Sequence, residues 1–268
     1  MKIGSNDHLL IEAVKAALIA SNEIMDVYSK AFDVEQKADN SPLTEADKRA
    51  HTAISRVLES TRIPILSEEG RHAPYEERSG WESLWIVDPL DGTKEFVRRN
   101  GEFTVNIALV SSHRPVFGVI LAPVTGALYF GGSSMGSYRL YRKGGFLTGE
   151  IPPSLTSYGE RLPISEADRP FRIVASRSHM STETQAFVQS QRTENPDLEL
   201  VNSGSSLKIC LIAEGSADIY PRFAPTMEWD TAAGHAIAEG AGKTLIQPDG
   251  KPVLYNKADL LNPWFIVR

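Results

Sequence analysis

The chain opens with apolar positions at helical spacing. Leu10, Val14, Ala17, Leu18, Ile24 and Val27 recur along one face, and Glu12, Lys15, Asn22 and Glu23 interrupt them. A second helix is predicted from a cap at Thr44 through Ala50, Ile54, Val57 and Leu58. After Pro64 the period shortens: residues 65–66, 84–87, 103–110, 116–122 and 127–130 read as strands divided by Gly, Pro and Asn. The last three lie close enough in sequence to pair as an antiparallel meander.

Residues 144–163 are rich in Gly, Pro and Ser and keep no period, which predicts an exposed connection. This gives an N-terminal α+β half over 1–145, a connection over 146–163 and a C-terminal α/β half over 164–268. In the second half, strands at 172–175 and 198–201 alternate with helices at 183–191 and 205–214. Further strands at 217–220 and 244–246 flank a helix beginning near Asp230, an alternation that packs helices on a sheet. The stretch 131–163 matches no motif and reads as an added hairpin and loop.

Composition narrows the classes. With 268 residues, 41% hydrophobic and 23% charged, the chain can bury a sizeable core, and disordered or disulfide-scaffold classes fall away. Twenty-eight basic against 34 acidic side chains give a net charge of −6, so nothing attracts nucleic acid or anionic lipid in general, and a bound phosphate must be held locally. The lone Cys210 cannot form an internal disulfide, and no Cys/His cluster of zinc spacing is present. With the first helix too interrupted by charge to be a membrane span, a cytoplasmic protein is expected, with or without peripheral contact with the inner membrane.

The chemistry concentrates in residues 85–93, WIVDPLDGT. An apolar strand runs into Asp88, Pro89 removes a ladder donor and Asp91-Gly92 makes a turn, so two carboxylates should emerge together where the strand ends. Amides after Gly92 that open a helical turn would face an anion held by such a cation site. Glu68-Glu69 repeats the arrangement after the strand-like 63–66, and Asp230 stands at the start of a helix. Taken singly these are solvated turns and an N-cap; together they form an oxygen-only donor set that suits Mg²⁺ or Mn²⁺ better than zinc. Three other motifs are decoys. Residues 132–136 spell G-x-S-x-G but precede a strand-like segment, which suits a hairpin turn. Residues 240–244 end like a phosphate-binding loop but follow a helix, and Ser205–Lys208 fits S-x-x-K without its partner motifs.

The set formed by Asp47, Glu68-Glu69, DPLDGT and Trp229-Asp230 resembles the lithium-sensitive, Mg²⁺-dependent phosphatases of the inositol monophosphatase superfamily. The wording ADNSPLTEAD, LSEEG, WIVDPLDGTKEFVRRNGEFTVNIAL, SRSH, GSSLKICLIAEGSADIYPRF and WDTAAGHA is similar, in order and over nearly the whole chain, to the CysQ-type 3'(2'),5'-bisphosphate nucleotidases. The resemblance implies a layered α-β sandwich of two halves with the active site between them. It implies two or three Mg²⁺ ions held by Glu68, Asp88, the carbonyl of Leu90, Asp91 and Asp230, and a water oriented by Asp47 and Thr93. Substrate contacts carried over by position are Glu68, Leu90, Asp91, Gly92, Thr93, Ser176, His179, Gly204, Ser205, Lys208, Arg222 and Asp230. A helix start bearing Gly204, Ser205 and Lys208 suits an anion on physical grounds as well, although His179 and Lys208 also fit surface positions and Arg222 an internal ion pair.

The implied reaction is hydrolysis of the 3'-phosphate of 3'-phosphoadenosine 5'-phosphate, and of 3'-phosphoadenosine 5'-phosphosulfate as a second substrate. A metal-activated water is the implied nucleophile, with no covalent phosphoenzyme. The partner is then a small nucleotide, not nucleic acid, and the chain acts as a monomer or dimer. Inositol 1-phosphate or fructose 1,6-bisphosphate as substrate is the nearest rival, and a catalytically silent nucleotide or metal sensor the rival from another class.

Overall fold

The computed structural model describes residues 5–36, 42–142, 155–164, 169–175 and 180–268. Helix α1 (Ser5–Tyr28) leads through a two-stranded ribbon, β1 (Val34–Gln36) and β2 (Pro42–Thr44), into α2 (Glu45–Leu58). A reciprocal cap starts α2. The Thr44 hydroxyl accepts from the Ala46 amide at 3.2 Å, and the Asp47 carboxylate accepts the Thr44 N–H at 2.7 Å.

A seven-stranded sheet follows in simple sequence order. It comprises β3 (Ile65–Ser67), β4 (Ser83–Asp91), β5 (Thr104–Ser111), β6 (Arg114–Ala122), β7 (Ala127–Gly132), β8 (Gly136–Tyr141) and β9 (Glu160–Arg161). Only the β3–β4 pair is parallel. Short helices α3 (Tyr75–Arg78), α4 (Thr93–Val97) and α5 (Leu155–Tyr158) occupy its connections. The rest of the chain supplies β10 (Arg172–Ala175), α6 (Thr182–Glu194), β11 (Glu199–Asn202), α7 (Leu207–Glu214), β12 (Tyr220–Arg222), α8 (Glu228–Gly240), β13 (Leu245–Ile246) and β14 (Phe265–Val267). Strands β10 and β11 pair in parallel, and β14 lies between β12 and β13.

Both faces of the large sheet are covered, which is why its strands read as nearly unbroken apolar runs. Trp85, Val87, Ile107, Leu109, Val119 and Leu121 pack under α1 and α2, whereas the alternate residues Leu84, Ile86, Ala108, Val110, Ile120 and Ala122 pack under α7 and α8. The result is the layered α-β arrangement expected. Helix α8 sits so close to β6 that a Cβ on Gly118 would fall 2.2 Å from the Ala233 carbonyl oxygen, so only glycine fits there. The second half therefore carries a helix built onto the first half's sheet. Among the described residues no helix is long and apolar enough to cross a membrane.

The structure corrects several sequence expectations. The connection predicted over 144–163 falls partly on residues 144–154, outside the described residues; its end is largely exposed, as expected, but is ordered into α5 and β9 instead of loop. Glu160 and Arg161 pair with β8, and Leu155 and Leu162 are buried, because the Leu162 amide bonds to the Ser137 carbonyl and folds the segment onto the sheet. Residues 132–136 form the β7–β8 hairpin turn, as expected. Strand β4 does not stop at Asp88. The ladder slips between Asp88 and Asp91, where Pro89 has no N–H to donate, and resumes with Asp91 opposite Thr104. Strand β12 begins at Tyr220 instead of Ala217, and the terminal strand β14 was not predicted.

Candidate active site at the end of the central strand

The slip in β4 brings its acids together beneath the start of α8. One carboxylate oxygen from each of Asp88, Asp91 and Asp230 lies within 4.8 Å of the others. Asp88 is buried, and it points its Oδ1 at the Leu90 amide at 3.1 Å. Asp91 accepts from the Ser206 amide at 2.6 Å and from Asn106 Nδ2 at 3.2 Å. Asp230 is the third residue of α8 instead of its N-cap, and its Oδ2 accepts the Met227 N–H at 2.8 Å, leaving the other oxygen for the cluster. Glu68, which follows β3, lines the same open cleft together with Asp88, Leu90, Asp91, Thr93 and Asp230.

Electrostatics mark the cluster as incomplete without positive charge. Burial, then the neighbouring Glu68, Asp91 and Asp230, pushes Asp88 well above the ordinary carboxylate range. Burial followed by Asp91 raises Asp230 to about 8. Asp91 is raised by burial and held back by Lys208. Oxygen-only ligands, mutually repelling and packed at one point, fit a hard divalent cation.

Asp47 divides its oxygens between two tasks. Oδ2 takes the Thr44 amide and, at 2.6 Å, the Thr44 hydroxyl, while Oδ1 accepts the Thr93 hydroxyl at 3.1 Å. Thr93 Oγ1 also lies 3.3 Å from the Leu90 carbonyl. Gly92, with φ of 90°, turns the chain from β4 into α4 so that Thr93 opens the helix beside the acids. Burial raises the Asp47 carboxyl, against the lowering effect of its hydrogen bonds to Thr44.

A second, smaller cavity adjoins the first and is lined by Gly204, Ser205, Lys208, Tyr220, Arg222 and Phe265 among others. Lys208 is buried, not solvated, in the first turn of α7. Its Nζ donates to the Ser205 carbonyl at 2.5 Å, and desolvation lowers it to about 8 against the attraction of Asp91. Arg222 donates to the Pro225 carbonyl at 2.9 Å, and its buried Nε has no hydrogen-bond partner among the described residues. Ser206 ties this cavity to the sheet by hydrogen bonds with Thr104 and Asn106. Ser176 and His179 lie outside the described residues.

Two features escaped the sequence reading. Glu95 lines both cavities, and its only local signal was an acid in the first turn of a short helix. Behind Asp230, the fully buried Glu228 accepts the Asn256 and Lys257 amides at 2.6 and 3.0 Å and Lys257 Nζ at 2.5 Å. Arg78 grips the same loop, donating from Nη1 to Asn256 Oδ1 at 2.7 Å and to the Lys257 carbonyl at 3.1 Å. His72, whose ring packs on Trp229, lies 3.0 Å from the Ser67 carbonyl and joins the Glu68 arm to the Asp230 arm. No sequence pattern links residues so far apart.

Comparison with known proteins agrees with this geometry. The chain is 43% identical over 265 residues to the 3'(2'),5'-bisphosphate nucleotidase CysQ of Escherichia coli strain K12, covering 97% of this chain and 99% of that protein. The crystal structure of CysQ from Bacteroides thetaiotaomicron, a bacterial member of the inositol monophosphatase family, superposes with a TM-score of 0.89 at 50% identity and 97% coverage of both chains. The fold is shared with the extragenic suppressor protein SuhB of Bartonella henselae, at 22% identity and a TM-score of 0.75 over 97% of this chain and 93% of that one. The sequence profile of the inositol monophosphatase family matches residues 5–263, and the chain belongs to that family.

Proposed function

We propose that the chain is a Mg²⁺-dependent 3'(2'),5'-bisphosphate nucleotidase that removes the 3'-phosphate of 3'-phosphoadenosine 5'-phosphate, giving AMP and phosphate. The observation that carries this reading is the pair of adjoining cavities. One gathers acids that suit a cation and through it a phosphoryl group; the other offers Lys208 and Arg222 to a second phosphate. Identity of 43% to a CysQ nucleotidase over nearly the whole chain supports the same substrate class.

Inositol monophosphatase family enzymes use Mg²⁺, and the acidic cluster suits it. In our reading Glu68, Asp88, the Leu90 carbonyl, Asp91 and Asp230 would hold two or three ions, whose positive charge would lower the pKa of water and offset charge on the phosphoryl oxygens. The remaining work falls to the chain. The Thr93 hydroxyl, donating to Asp47 Oδ1, keeps a lone pair for the attacking water. The burial that raises Asp47 makes it a better terminal acceptor for the water's proton than an exposed aspartate. Lys208 and Arg222 bind the 5'-phosphate, with Gly204 and Ser205 beside them. The ester and one water become AMP and inorganic phosphate.

The two halves divide this labour. Residues 1–145 supply every acid of the cluster except Asp230, and residues 164–268 supply Asp230 and the basic side chains Lys208 and Arg222. Every residue invoked lies in one chain, so the reading needs no second copy. A reducing cytoplasm suits the single buried thiol of Cys210.

Phosphate release with Mg²⁺ is the test. 3'-Phosphoadenosine 5'-phosphate should be hydrolysed far faster than inositol 1-phosphate, and adenosine 3'-phosphate, which lacks the second phosphate, should show a raised KM. Equal rates on all three would sink the nucleotidase reading.

A further inference from the structure

The two cavities share a wall formed by Asp91, Gly92, Glu95 and Asp230. If one phosphate enters the acidic cavity and the other meets Lys208 and Arg222, the ribose joining them must cross that wall. Asp91 and Asp230 belong to the cation cluster and Gly92 has no side chain, so Glu95 is the wall side chain left to meet the sugar. Glu95 is half-buried, and no hydrogen bond among the described residues engages its carboxylate. A glycine leaves it room. A Cβ on Gly204 would stand 2.8 Å from the Glu102 carbonyl oxygen and 3.0 Å from Glu95 Cγ, so the bare backbone of the loop before α7 packs directly against both residues. A carboxylate beside a phosphate site repels the ligand unless the ligand gives it a proton donor. A ribose with its 3' and 5' positions phosphorylated has one free hydroxyl to give.

We propose that Glu95 accepts a hydrogen bond from the ribose hydroxyl next to the scissile phosphate, and so selects ribonucleotide bisphosphates over their deoxy counterparts. This rests on the nucleotidase reading above. A hydrogen bond to a charged partner corresponds to a preference of about 10- to 100-fold.

The experiment measures kcat/KM for 3'-phosphoadenosine 5'-phosphate and for its 2'-deoxy analogue, with wild type, Glu95→Ala and Glu95→Gln. The substrates carry the same phosphates, so a changed charge field around Lys208 cancels in their ratio, as does any difference in the fraction of folded enzyme. Wild type should favour the ribonucleotide by about 10- to 100-fold. Glu95→Ala should lose at least about tenfold of that ratio, and Glu95→Gln, still able to accept, should fall between. A ratio unchanged by Glu95→Ala, or a wild type that treats both substrates alike, overturns the role of Glu95 while leaving the nucleotidase reading intact. A wild type that does not hydrolyse the ribonucleotide overturns both.

Discussion

Asp47 uses one oxygen to cap α2 and the other to hold Thr93, so its structural and chemical roles can be separated by cutting each bond alone. Thr93→Val keeps the side-chain shape and deletes the hydroxyl that donates to Asp47 Oδ1 at 3.1 Å. Asp47 is only 1% exposed, so no bulk water replaces the lost donor, and the expected stability cost is about 1.5–3 kcal/mol, that of a hydrogen bond to a charged group. Thr44→Ala instead removes the 2.6 Å bond to Oδ2 and the cap on the Ala46 amide, at a similar cost of about 1–2 kcal/mol. The two variants should therefore melt at comparable temperatures. Their turnover should differ sharply. If Thr93 and Asp47 orient and deprotonate the attacking water, Thr93→Val should lower kcat by about 10²–10⁴, equivalent to about 3–5 kcal/mol of transition-state stabilisation. Thr44→Ala, with Oδ1 and Thr93 intact, should stay within a few-fold of wild type. The assay is phosphate release at saturating Mg²⁺ and nucleotide beside a thermal melt of each variant. Near-normal turnover in Thr93→Val, or an equal loss in Thr44→Ala, would return Asp47 to a cap and refute its chemical role.

Stability of the metal-free protein should fall as pH rises from about 4 to about 8. Asp230 is raised to about 8 and Asp88 and Asp91 are raised too, so the folded state binds more protons than the unfolded state across this window and loses that advantage as they ionise. Mg²⁺ should reverse the trend in a thermal melt, and Asp88→Asn should raise the metal-free melting temperature near pH 8 while abolishing activity; a metal-free protein that gains stability with pH contradicts this. Lys208→Met should raise KM for the bisphosphate more than it lowers kcat, since the lysine binds substrate without reaching the scissile bond; a loss confined to kcat argues otherwise. Ca²⁺ and Li⁺ should inhibit and chelation should abolish turnover reversibly, whereas activity restored by zinc alone would exclude the oxygen-ligand reading. Arg78→Met strands the Asn256 side-chain oxygen and the Lys257 carbonyl and should cost about 2–4 kcal/mol. It should also weaken Mg²⁺ binding measured calorimetrically, because the loop it grips supports the residue two before Asp230.

What the sequence revealed was what chemistry writes locally. The Thr44-to-Asp47 spacing announces a reciprocal cap, the apolar run into Asp88 announces carboxylates gathered at a strand end, and the apolar runs along 103–130 announce an antiparallel meander. The strand–turn–helix at Gly92 was legible for the same reason. What escaped depends on partners supplied by remote chain. Arg78 and Asn256 are 178 positions apart, and nothing near either residue says that they meet. Strand β14 is a short segment whose pairing with β12 and β13 exists only once both are in place. Asp47 and Thr93, 46 positions apart, were joined by family resemblance, and the 3.1 Å bond between them now gives that association a physical basis.

The same distinction explains how an acidic protein accommodates an anionic ligand. A net charge of −6 offers phosphate no long-range attraction, and the cluster of Asp88, Asp91 and Asp230 is repulsive by itself. Burying such acids is tolerable only if positive charge arrives with function, which here means a cation among the carboxylates and Lys208 behind Asp91. Lys208 faces the converse problem. Its desolvation is opposed first by Asp91, so the acid that belongs to the cation cluster also keeps the lysine charged in the neighbouring cavity. The two cavities are thus coupled through one side chain. Asp91→Asn should weaken Mg²⁺ binding and at the same time lower the Lys208 pKa further below about 8, moving the alkaline limb of nucleotide binding to lower pH. Binding of nucleotide to the metal-free variant across pH 6–9 isolates the second effect, and an alkaline limb unmoved from that of metal-free wild type would show that the cavities act independently.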